Sequence, residues 1–327
     1  MKILVTGGAG YIGSITVREL IKQKHEVIVL DNLSSGHQKA LPQDVNLIID
    51  DINNPKALEN IFVDQKIDAV IHFAASIQMG ESVKNPSKYY WNNLVSSLKL
   101  FDSMVKYNVL KIVFSSTAGV YGNPIKLPIS EDDPKNPTNP YGETKLAIEK
   151  VLHWYDQAYN LKSKCIRYFN AAGASHDGEV GENHKEESHL IPNAIKKALG
   201  LKEKFEIFGN DYDTKDGTCV RDYIHVLDLA DAHILAINAL LEGHGSDCYN
   251  AGIGQGYSNK EIVEMIKKVS GLDFKVDYLP RRPGDASTLI ADPSKLKKEF
   301  GWEPKHSDLE TIIKSAFAWH SSHKNGY

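Results

Sequence analysis

Short runs of apolar residues alternate with helical patterns through the first half of the chain. The runs are apolar at nearly every position, whereas a strand with one solvated face is apolar at every second position. They fall at residues 2–5, 27–30, 45–49, 69–74, 111–115 and 164–168. Strands of this kind between helices are typical of a parallel sheet that helices cover on both faces. The pattern therefore predicts a doubly wound α/β fold.

The second half of the chain has a different texture. Its elements are shorter, and the connections between them are rich in Gly, His, Asp and Glu. We expect a first domain over residues 1–172 and a smaller, mixed α/β lobe that binds substrate over residues 173–327. The apolar helical stretch 226–241 and the short strand 248–250 can pack onto the first sheet. Segment 225–252 is therefore expected to return to the first domain.

A glycine-rich turn joins the first predicted strand to the first helix. Gly7, Gly10 and Gly13 occur at every third position of this turn. A diphosphate can bind the free N–H groups at the start of a helix only where no side chain blocks its approach, and glycine removes that block. The spacing alone is also compatible with a simple tight turn. Its position between a buried strand and a helix favours a dinucleotide-binding site in a Rossmann-type domain.

Asp31 ends the second predicted strand, about twenty residues beyond the glycine turn. A carboxylate at this place can accept hydrogen bonds from an adenosine ribose, and it repels the additional phosphate of NADP. The residue therefore predicts NAD as the cofactor. The alternative interpretation is that Asp31 only caps a turn with Asn32.

Tyr141 and Lys145 lie four residues apart at the start of a predicted helix, and therefore on one face of it. A phenol is a poor base at neutral pH, but a lysine cation and a bound nicotinamide cation both favour the phenolate, which makes Tyr141 a candidate proton acceptor. Alone, the pair is more typical of two surface residues, and the glycine turn is what favours catalysis. Thr117 follows the strand 111–115, so its hydroxyl is expected to reach the same crevice. Its alternative role is to form a turn or to cap the strand, and Ser116 is the reserve candidate.

Composition and charge exclude several classes of protein. The 327 residues carry a formal net charge of −4, and no basic stripe indicates a nucleic-acid partner. No apolar stretch is long enough to span a membrane. Because the first predicted strand begins at residue 2, we expect no secretion signal and a cytoplasmic location.

The cysteines and histidines indicate neither disulfides nor a metal centre. Cys165, Cys219 and Cys248 are odd in number and never form a Cys-x-x-Cys pair, which is typical of reduced thiols in the cytosol. The histidines show no metal-ligand spacing, and no Asp or Glu cluster is expected near them. They are His72, His184, His189 and His225. We therefore expect no bound metal.

Motifs along the whole chain carry a resemblance to a known family. They lie at residues 6–14, 31–33, 72–75, 80–82, 136–142 and 167–170. The most specific stretch is residues 216–226, and residues 280–285 support it. With these motifs the chain resembles the extended short-chain dehydrogenases/reductases, and among them the UDP-glucose 4-epimerases.

The resemblance implies a reaction, a cofactor and an assembly. The reaction is NAD-dependent epimerisation at C4 of UDP-hexoses, which interconverts UDP-galactose and UDP-glucose in galactose metabolism. It passes through a transient 4-keto sugar, while Tyr141 and Thr117 exchange a proton with the 4-hydroxyl group. The helices at 86–107 and 141–159 are implied to pair two copies into a homodimer.

The resemblance also implies which residues contact each ligand. Those expected to bind NAD are Gly7, Gly10, Tyr11, Ile12, Gly13, Asp31, Asn32, Asp51, Ile52, Phe73, Ala74, Asn92, Tyr141, Lys145 and Phe169. Those expected to bind the UDP-sugar are Thr117, Tyr141, Asn170, His189, Ile207, Phe208, Arg221, Arg282, Asp285 and Leu289. Arginine suits a diphosphate through its planar fork of donors, and an acid can hold a ribose hydroxyl. The alternative for Arg221 and Arg282 is that both form surface ion pairs.

Two positions depart from the family pattern. Ile77 stands where many members carry a lysine close to the nicotinamide, so one cofactor contact and the retention of NAD are in question. Leu289 aligns with the residue beside the sugar and is smaller than the tyrosine of some relatives. This raises the hypothesis that N-acetylated UDP-hexosamines also enter.

Two other functions compete with epimerisation. A nucleotide-sugar dehydratase or decarboxylase of the same superfamily needs an acidic residue just after the catalytic threonine or serine, and here residues 118–120 are Ala, Gly and Val. A catalytically silent NAD-sensing regulator needs the glycine turn but does not need Tyr141 and Lys145. Both residues are present here, which disfavours a regulator. Epimerisation is therefore the favoured interpretation.

Overall fold

A parallel β-sheet forms the centre of the fold in the computed structural model, which describes residues 1–282 and 284–327. The strands of the described residues are β1 (Lys2–Thr6), β2 (Glu26–Asp31), β3 (Asn46–Ile49), β4 (Ala69–His72), β5 (Lys111–Ser115), β6 (Lys162–Tyr168), β7 (Asn170–Ala172), β8 (Glu206–Phe208), β9 (Val220–Arg221), β10 (Tyr223–His225), β11 (Asp247–Ala251), β12 (Tyr257–Ser258), β13 (Asp277–Leu279) and β14 (Thr288–Leu289). The central sheet has the order β11-β6-β5-β4-β1-β2-β3, and each neighbouring pair is parallel. From β1 the chain winds outward in both directions, which confirms the doubly wound fold. β4 ends at His72, whereas the sequence pattern predicts a strand to residue 74.

Helices cover both faces of this sheet. The helices of the described residues are α1 (Tyr11–Lys22), α2 (Pro55–Gln65), α3 (Met79–Lys84), α4 (Pro86–Tyr89), α5 (Ser96–Lys106), α6 (Pro140–Tyr159), α7 (Leu190–Ala198), α8 (Val226–Leu241), α9 (Asn259–Ser270), α10 (Ser294–Phe300) and α11 (Leu309–Ser322). A π-helical segment, Tyr90–Val95, interrupts the helix predicted over 86–107. α1 and α8 supply apolar side chains to the core on one face, and α2, α5 and α6 supply them on the other. Within the two described ranges, no helix has the length and apolar character needed to cross a membrane.

A second core lies among the later elements. α7, α9 and α11 bury their apolar faces against one another, and Ile207 of β8 and Tyr223 of β10 join them. β9 lies between β12 and β14 in a small sheet. β11, however, pairs with β6 in the central sheet, so part of the second half of the chain completes the first sheet. The division of the chain at residue 172 stays a prediction.

Local capping sets the start of α6, which carries Tyr141 and Lys145. The Asn139 side chain accepts a hydrogen bond from the backbone N–H of Gly142 at 2.9 Å. Pro140 follows at the first helical position, where its missing N–H costs no hydrogen bond. The helix therefore begins one residue before Tyr141, and both predicted catalytic residues lie on its first two turns.

Candidate active site

The carboxyl ends of the parallel strands meet at one edge of the central sheet. The glycine turn follows β1 at this edge, and residues predicted for the cofactor or for catalysis follow the other strands. They are Asp31 at the end of β2, Asp51 after β3, Phe73 and Ala74 after β4, Thr117 after β5 and Phe169 after β6. In doubly wound sheets, ligands bind outside this edge at the point where the strand order reverses. The sheet therefore brings these residues to the side where such folds bind ligands.

The glycine turn leaves the start of α1 open. Gly7 has a left-handed φ of 72°, and a Cβ there would lie 2.5 Å from the Ala74 nitrogen. A Cβ on Gly13 would lie 2.3 Å from the Gly7 carbonyl oxygen, whereas one on Gly10 would meet that oxygen at 3.3 Å. The turn itself thus needs glycine at positions 7 and 13, and glycine at position 10 keeps the outside clear. No side chain caps α1, so its first backbone N–H groups are donors for an anion.

Asp31 lies beside the turn and is 8% exposed. Its carboxylate accepts hydrogen bonds from the backbone N–H groups of Ala9 at 2.9 Å and of Leu33 at 2.8 Å. The residue therefore does cap a turn, as the alternative interpretation expects, and Asn32 takes part because its side chain accepts from the Ser34 N–H at 3.0 Å. Each carboxylate oxygen keeps a lone pair for a ribose hydroxyl. Burial raises the pKa of Asp31, and the two N–H groups oppose that rise.

Two further cofactor candidates form a hydrogen-bonded pair near Asp31. The Asn32 side chain donates to Asp51 Oδ2 at 2.7 Å. Burial opposes ionisation of Asp51, but donors on Asn53 and Asn32 outweigh it and lower its pKa. Ile52 follows and is buried in the core beneath β2. The end of β3 thus offers an ionised acceptor above an apolar base.

Neighbouring groups hold the remaining cofactor candidates in place. The Tyr11 hydroxyl donates to the Gly173 carbonyl at 2.7 Å, and the Asn92 side chain donates to Ser76 Oγ at 3.1 Å. Half-buried apolar side chains in this region are those of Ile12, Phe73 and Ala74. Ile77, at the position of the family's lysine, is 38% exposed. Position 77 therefore contributes no positive charge.

Tyr141 and Lys145 face the carboxyl end of β5. The Lys145 ammonium donates to the Ser115 carbonyl at 2.8 Å, and its nitrogen is 5.9 Å from the centre of the Tyr141 ring. The Thr117 side chain is close enough to the Tyr141 phenol to lower its pKa. Thr117 Oγ1 also accepts from the Gly119 N–H at 3.1 Å, so this residue caps the turn after β5 as well. The structure thus brings the three predicted catalytic residues together.

Burial controls the protonation of Tyr141 and Lys145. It raises the pKa of Tyr141 well above the usual value, and the nearby Thr117 side chain opposes this only in part. It lowers the pKa of Lys145 to about 7, although Glu149 acts in the opposite direction. In the chain by itself, the neutral phenol is therefore the stable form of Tyr141. Its use as a base requires positive charge beyond that of Lys145.

A buried ion pair lies beneath these residues, and the sequence pattern gives no signal for it. Glu149, one turn after Lys145 on α6, accepts hydrogen bonds from Arg167 Nε at 3.0 Å and from a terminal Arg167 nitrogen at 2.7 Å. Ser116, the reserve candidate beside Thr117, donates to the same carboxylate at 2.5 Å. Both side chains of the ion pair are 5% exposed. The pair thus ties α6 and β6 to the segment that carries Thr117.

Through β14, the later part of the chain approaches the edge of the central sheet at which Thr117 lies. Leu289 lies on this strand and, like Phe169, packs against an apolar cluster that follows β5. The cluster consists of Val120, Tyr121, Ile129 and Leu146. β14 pairs with β9, where Leu289 is the partner of Arg221, and the Asn170 side chain donates to the carbonyl between β9 and β10 at 3.2 Å. Residues predicted for the sugar and for the nucleotide therefore adjoin one another.

A cavity of about 580 Å³ lies beside β14 and is lined by Asp285, one of the residues predicted to contact the nucleotide. Asp285 lines the cavity together with Tyr212, Arg281, Thr288 and residues 123–127. Thr288 precedes Leu289 on β14, so the cavity adjoins the predicted sugar site. Its size and position are compatible with part of a nucleotide.

Within the described residues, neither of the two arginines predicted for the nucleotide forms an ion pair. Arg282 rests its guanidinium 3.7 Å from the centre of the Phe208 ring, and Ile207 is buried next to it on β8. Arg221 donates to the Val220 carbonyl at 2.9 Å. The described residues therefore do not support the alternative that both arginines form surface ion pairs. Both guanidinium groups keep N–H donors for a diphosphate.

His189 belongs to a polar cluster that contradicts one expectation from the sequence. Glu182, His184, Glu187 and His189 bring four possible ligand atoms within 4.8 Å of one another. Burial opposes protonation of His184, but the two glutamates outweigh it and raise its pKa to about 9. The expectation that no carboxylate cluster lies near the histidines is therefore wrong. The spacing Glu-x-His-x-x-Glu-x-His is the sequence signal that reveals the cluster.

Comparisons with known proteins show the family. The model of the NAD dependent epimerase/dehydratase family matches residues 3–252. A UDP-glucose 4-epimerase of Halalkalibacterium halodurans is 52% identical over 327 residues, which cover 100% of this chain and 98% of that protein. A structure of UDP-glucose 4-epimerase from Brucella ovis in complex with NAD is 45% identical, has a TM-score of 0.94 and covers 97% of both chains. A structure of the UDP-Glc/GlcNAc 4-epimerase of Campylobacter jejuni is 46% identical, has a TM-score of 0.86 and covers 98% of this chain and 99% of that chain. The chain therefore belongs to the NAD-dependent epimerase/dehydratase family.

Proposed function

We propose that the chain interconverts UDP-galactose and UDP-glucose by inverting the configuration at C4, with NAD as its cofactor. The observation that carries the proposal is the position of Thr117 beside the Tyr141 phenol at the end of β5, with Lys145 Nζ 5.9 Å from the centre of the same ring. A candidate base and a second hydroxyl thus lie next to the edge where such folds bind dinucleotides. The relatives named above, at 45 to 52% identity, are 4-epimerases of UDP-sugars.

The residues at the sheet edge fit NAD. The uncapped start of α1 offers N–H donors to a diphosphate, and a Cβ on Gly10 would meet only the Gly7 oxygen within 4 Å. Asp31 keeps lone pairs for ribose hydroxyls and disfavours the additional phosphate of NADP. Because Ile77 adds no charge, retention of the cofactor depends on these contacts. When bound, NAD supplies reversible hydride transfer at C4.

Tyr141 and Thr117 handle the proton of the 4-hydroxyl group. The C4–H bond of a hexose is not acidic, so oxidation to a ketone and reduction from the opposite face is the route that inverts this centre. Tyr141 accepts the hydroxyl proton when C4 is oxidised and returns it when C4 is reduced. Thr117 lowers the pKa of the nearby phenol, and Lys145, fixed by the Ser115 carbonyl, stabilises the phenolate through its charge.

The sugar has to turn over while the nucleotide stays bound. Arg221, Arg282 and Asp285 bring charged donors and acceptors from the later elements, and we assign them to the UDP group. Phe169 and Leu289 offer apolar contacts on the sugar side. Strong contacts to UDP and weak contacts to the hexose allow the 4-keto ring to present either face.

The residues after Thr117 disfavour the competing reactions. The turn Ala118–Val120 brings no carboxylate for a dehydratase or decarboxylase. The buried carboxylate of Glu149 is paired with Arg167 and is therefore not available as a general acid. The presence of Tyr141 with Thr117 and Lys145 beside it disfavours a silent NAD-sensing regulator.

N-acetylated UDP-hexosamines are a second candidate substrate class. Leu289 is half-buried against the cluster that it shares with Phe169, and leucine leaves more room than tyrosine. The Campylobacter jejuni relative, 46% identical, is described as a UDP-Glc/GlcNAc 4-epimerase. We expect turnover of UDP-N-acetylglucosamine, and its complete absence in a substrate comparison refutes this extension.

The test of the main proposal needs only purified protein and UDP-galactose, without added NAD. The reaction is monitored by ¹H NMR, and we expect UDP-glucose to form. The same equilibrium mixture is expected when UDP-glucose is the starting material. A dehydratase gives a deoxy-keto sugar instead, and a regulator leaves the substrate unchanged. Either of these results refutes the proposal.

We further propose that the protein works as a cytoplasmic homodimer. Large apolar side chains are exposed on α3, on the π-helical segment and on α6, which is typical of an interaction surface. They are Met79 at 55%, Val83 at 63%, Trp91 at 65%, Trp154 at 67% and Tyr159 at 51% exposure. Three free cysteines suit a reducing compartment. Sedimentation equilibrium is expected to give twice the chain mass of 36.4 kDa, and a monomer contradicts the assembly.

A further inference from the structure

Four side chains in front of α7 have the composition of a metal site. His184 Nδ1 lies 3.3 Å from Glu182 Oε1 and 3.4 Å from Glu187 Oε2. His189 Nδ1 lies 3.4 Å from Glu187 Oε1 and is hydrogen-bonded with Glu182 Oε1. All four possible ligand atoms lie within 4.8 Å of one another. Two imidazole nitrogens and two carboxylates thus surround a common centre.

These separations match a tetrahedron around zinc. Zn²⁺ binds histidine nitrogen at about 2.0–2.1 Å and carboxylate oxygen at about 2.0–2.2 Å, so neighbouring ligand atoms are about 3.3–3.5 Å apart. His184 Nδ1 has such separations from one oxygen of each glutamate, 3.3 Å from Glu182 Oε1 and 3.4 Å from Glu187 Oε2. His189 Nδ1 lies at the same 3.4 Å from the other oxygen of Glu187. The contact between His189 and Glu182 is exchanged for two metal bonds when an ion enters. A divalent cation also balances two carboxylates in a partly buried place.

Glu187 gives an independent sign that a ligand belongs in the cluster. Its side chain is 5% exposed, and its Oε2 is buried without a hydrogen-bond partner among the described residues. Buried polar atoms are normally paired, because leaving one unpaired costs free energy. The oxygen is aimed into the cluster, where His184 Nδ1 lies 3.4 Å away. A cation at the centre would satisfy it.

The cluster also fixes a long irregular segment. Residues 173–189 contain no helix or strand, and segments of this length need fixed points to be ordered. The Tyr327 hydroxyl provides one such point, because it bonds the N–H and the carbonyl of Gly181 at 3.0 and 2.9 Å. A metal ion would clamp residues 182–189. His189, which precedes α7, would bind through Nδ1 and keep Nε2 for another partner.

We propose that Glu182, His184, Glu187 and His189 form a Zn²⁺ site that orders the segment in front of α7. The site is distinct from the Tyr141 group and takes no part in the chemistry at C4. Metal binding does not require turnover, so this inference does not depend on the proposed function. If His189 also contacts substrate, a metal bond at Nδ1 orients its ring for that contact.

The test is titration of the purified protein, stripped of metal with a chelator, with Zn²⁺ alone. Isothermal calorimetry is expected to give one Zn²⁺ per chain, and Co²⁺ as a spectroscopic probe is expected to show the visible absorption of a tetrahedral site. Glu187→Gln and His184→Gln each remove one ligand and are expected to weaken zinc binding by at least about tenfold. Circular dichroism of each variant in the presence of chelator checks that it is folded.

The matched control is His176→Gln. His176 belongs to another group of histidines, with its ring 4.6 Å from that of His306, and it lies outside the four-residue cluster. This variant is expected to bind one Zn²⁺ with unchanged affinity. If Glu187→Gln does not fold, His184→Gln decides. Less than one Zn²⁺ per wild-type chain, or unchanged affinity in the folded ligand variants, shows an ion-pair network only and overturns the proposal.

Discussion

Replacing Tyr141 by Phe removes one hydroxyl group and leaves the aromatic ring. The residue is 6% exposed, so the buried shape of the site is retained. The change removes the hydroxyl that lies beside Thr117, whose Oγ1 still accepts from the Gly119 N–H at 3.1 Å. A hydrogen bond contributes about 1 kcal/mol net, so the free energy of unfolding is expected to fall by about 1 kcal/mol or less.

The effect on turnover is expected to be much larger. To act as a base near neutral pH, Tyr141 needs its pKa lowered by about three units from the usual value, which corresponds to about 4 kcal/mol. A unit charge at the 5.9 Å between Lys145 Nζ and the ring centre contributes about 2.8 kcal/mol at an effective dielectric constant of about 20. Burial raises the pKa of Tyr141 and so increases the stabilisation that the phenolate needs. The nicotinamide cation has to supply the part that Lys145 does not. Loss of such a base lowers kcat by about 10²–10⁴-fold.

The assay is kcat for conversion of UDP-galactose, measured for wild type and Tyr141→Phe from about pH 6 to about pH 9. Wild-type kcat is expected to rise with pH as the base loses its proton, and the variant is expected to lack this rise. Tyr155→Phe is the control, because Tyr155 lies on the same helix and donates to the exposed Asp102 at 2.6 Å. The control should keep wild-type turnover. A Tyr141→Phe variant with kcat within about threefold of wild type refutes the reasoning.

Three further predictions concern the glycine turn, the buried ion pair and the lysine. Gly10→Ala should fold, because the added Cβ would meet only the Gly7 oxygen, at 3.3 Å. It should lose bound NAD, which is measured by nucleotide absorbance after purification, and retained NAD contradicts the role given to the turn. Glu149→Gln leaves Arg167 buried without its partner and should lower the free energy of unfolding in urea by about 3–5 kcal/mol. The control Glu19→Gln, where the half-buried Glu19 pairs with the exposed Lys22, should lower it by about 0.5 kcal/mol or less. The pKa of Lys145 is lowered to about 7 in the fold, so above that pH the unfolded chain binds more protons and stability rises with pH. Between about pH 7 and about pH 9, the free energy of unfolding of the wild type without nucleotide should rise by about 2 kcal/mol more than that of Lys145→Met, as measured by thermal unfolding. An equal pH dependence of the two proteins contradicts the burial of this charge.

The sheet and the main catalytic group could be predicted because they depend on residues close together in the sequence. A strand that is apolar at every position indicates that both of its faces are buried. Tyr141 and Lys145 share a helix face by their spacing alone, and Asn139 with Pro140 sets where that helix begins. The position of Thr117 followed from its place just after β5.

Features that depend on tertiary contacts could not be predicted in this way. Glu149 and Arg167 lie on different elements, and charged residues taken one at a time are read as exposed. The π-helical segment within 86–107 has no periodic signal of its own. The Glu/His cluster over 182–189 has a signal in its Glu-x-His-x-x-Glu-x-His spacing. Its residues lie in a loop, however, and lack the helical spacing by which metal motifs are usually recognised.

The place of β11 in the sheet affects how the protein can be made in the cell. β6 leaves the ribosome well before β11, and until then one row of its backbone N–H and C=O groups is unpaired. α8, which covers one face of the sheet, is also synthesised late. A nascent chain that has not reached residue 251 therefore exposes both an open strand edge and an apolar face, which are surfaces that promote aggregation and chaperone binding. Pauses in translation before this point should lower the yield of folded protein, whereas pauses after it should not.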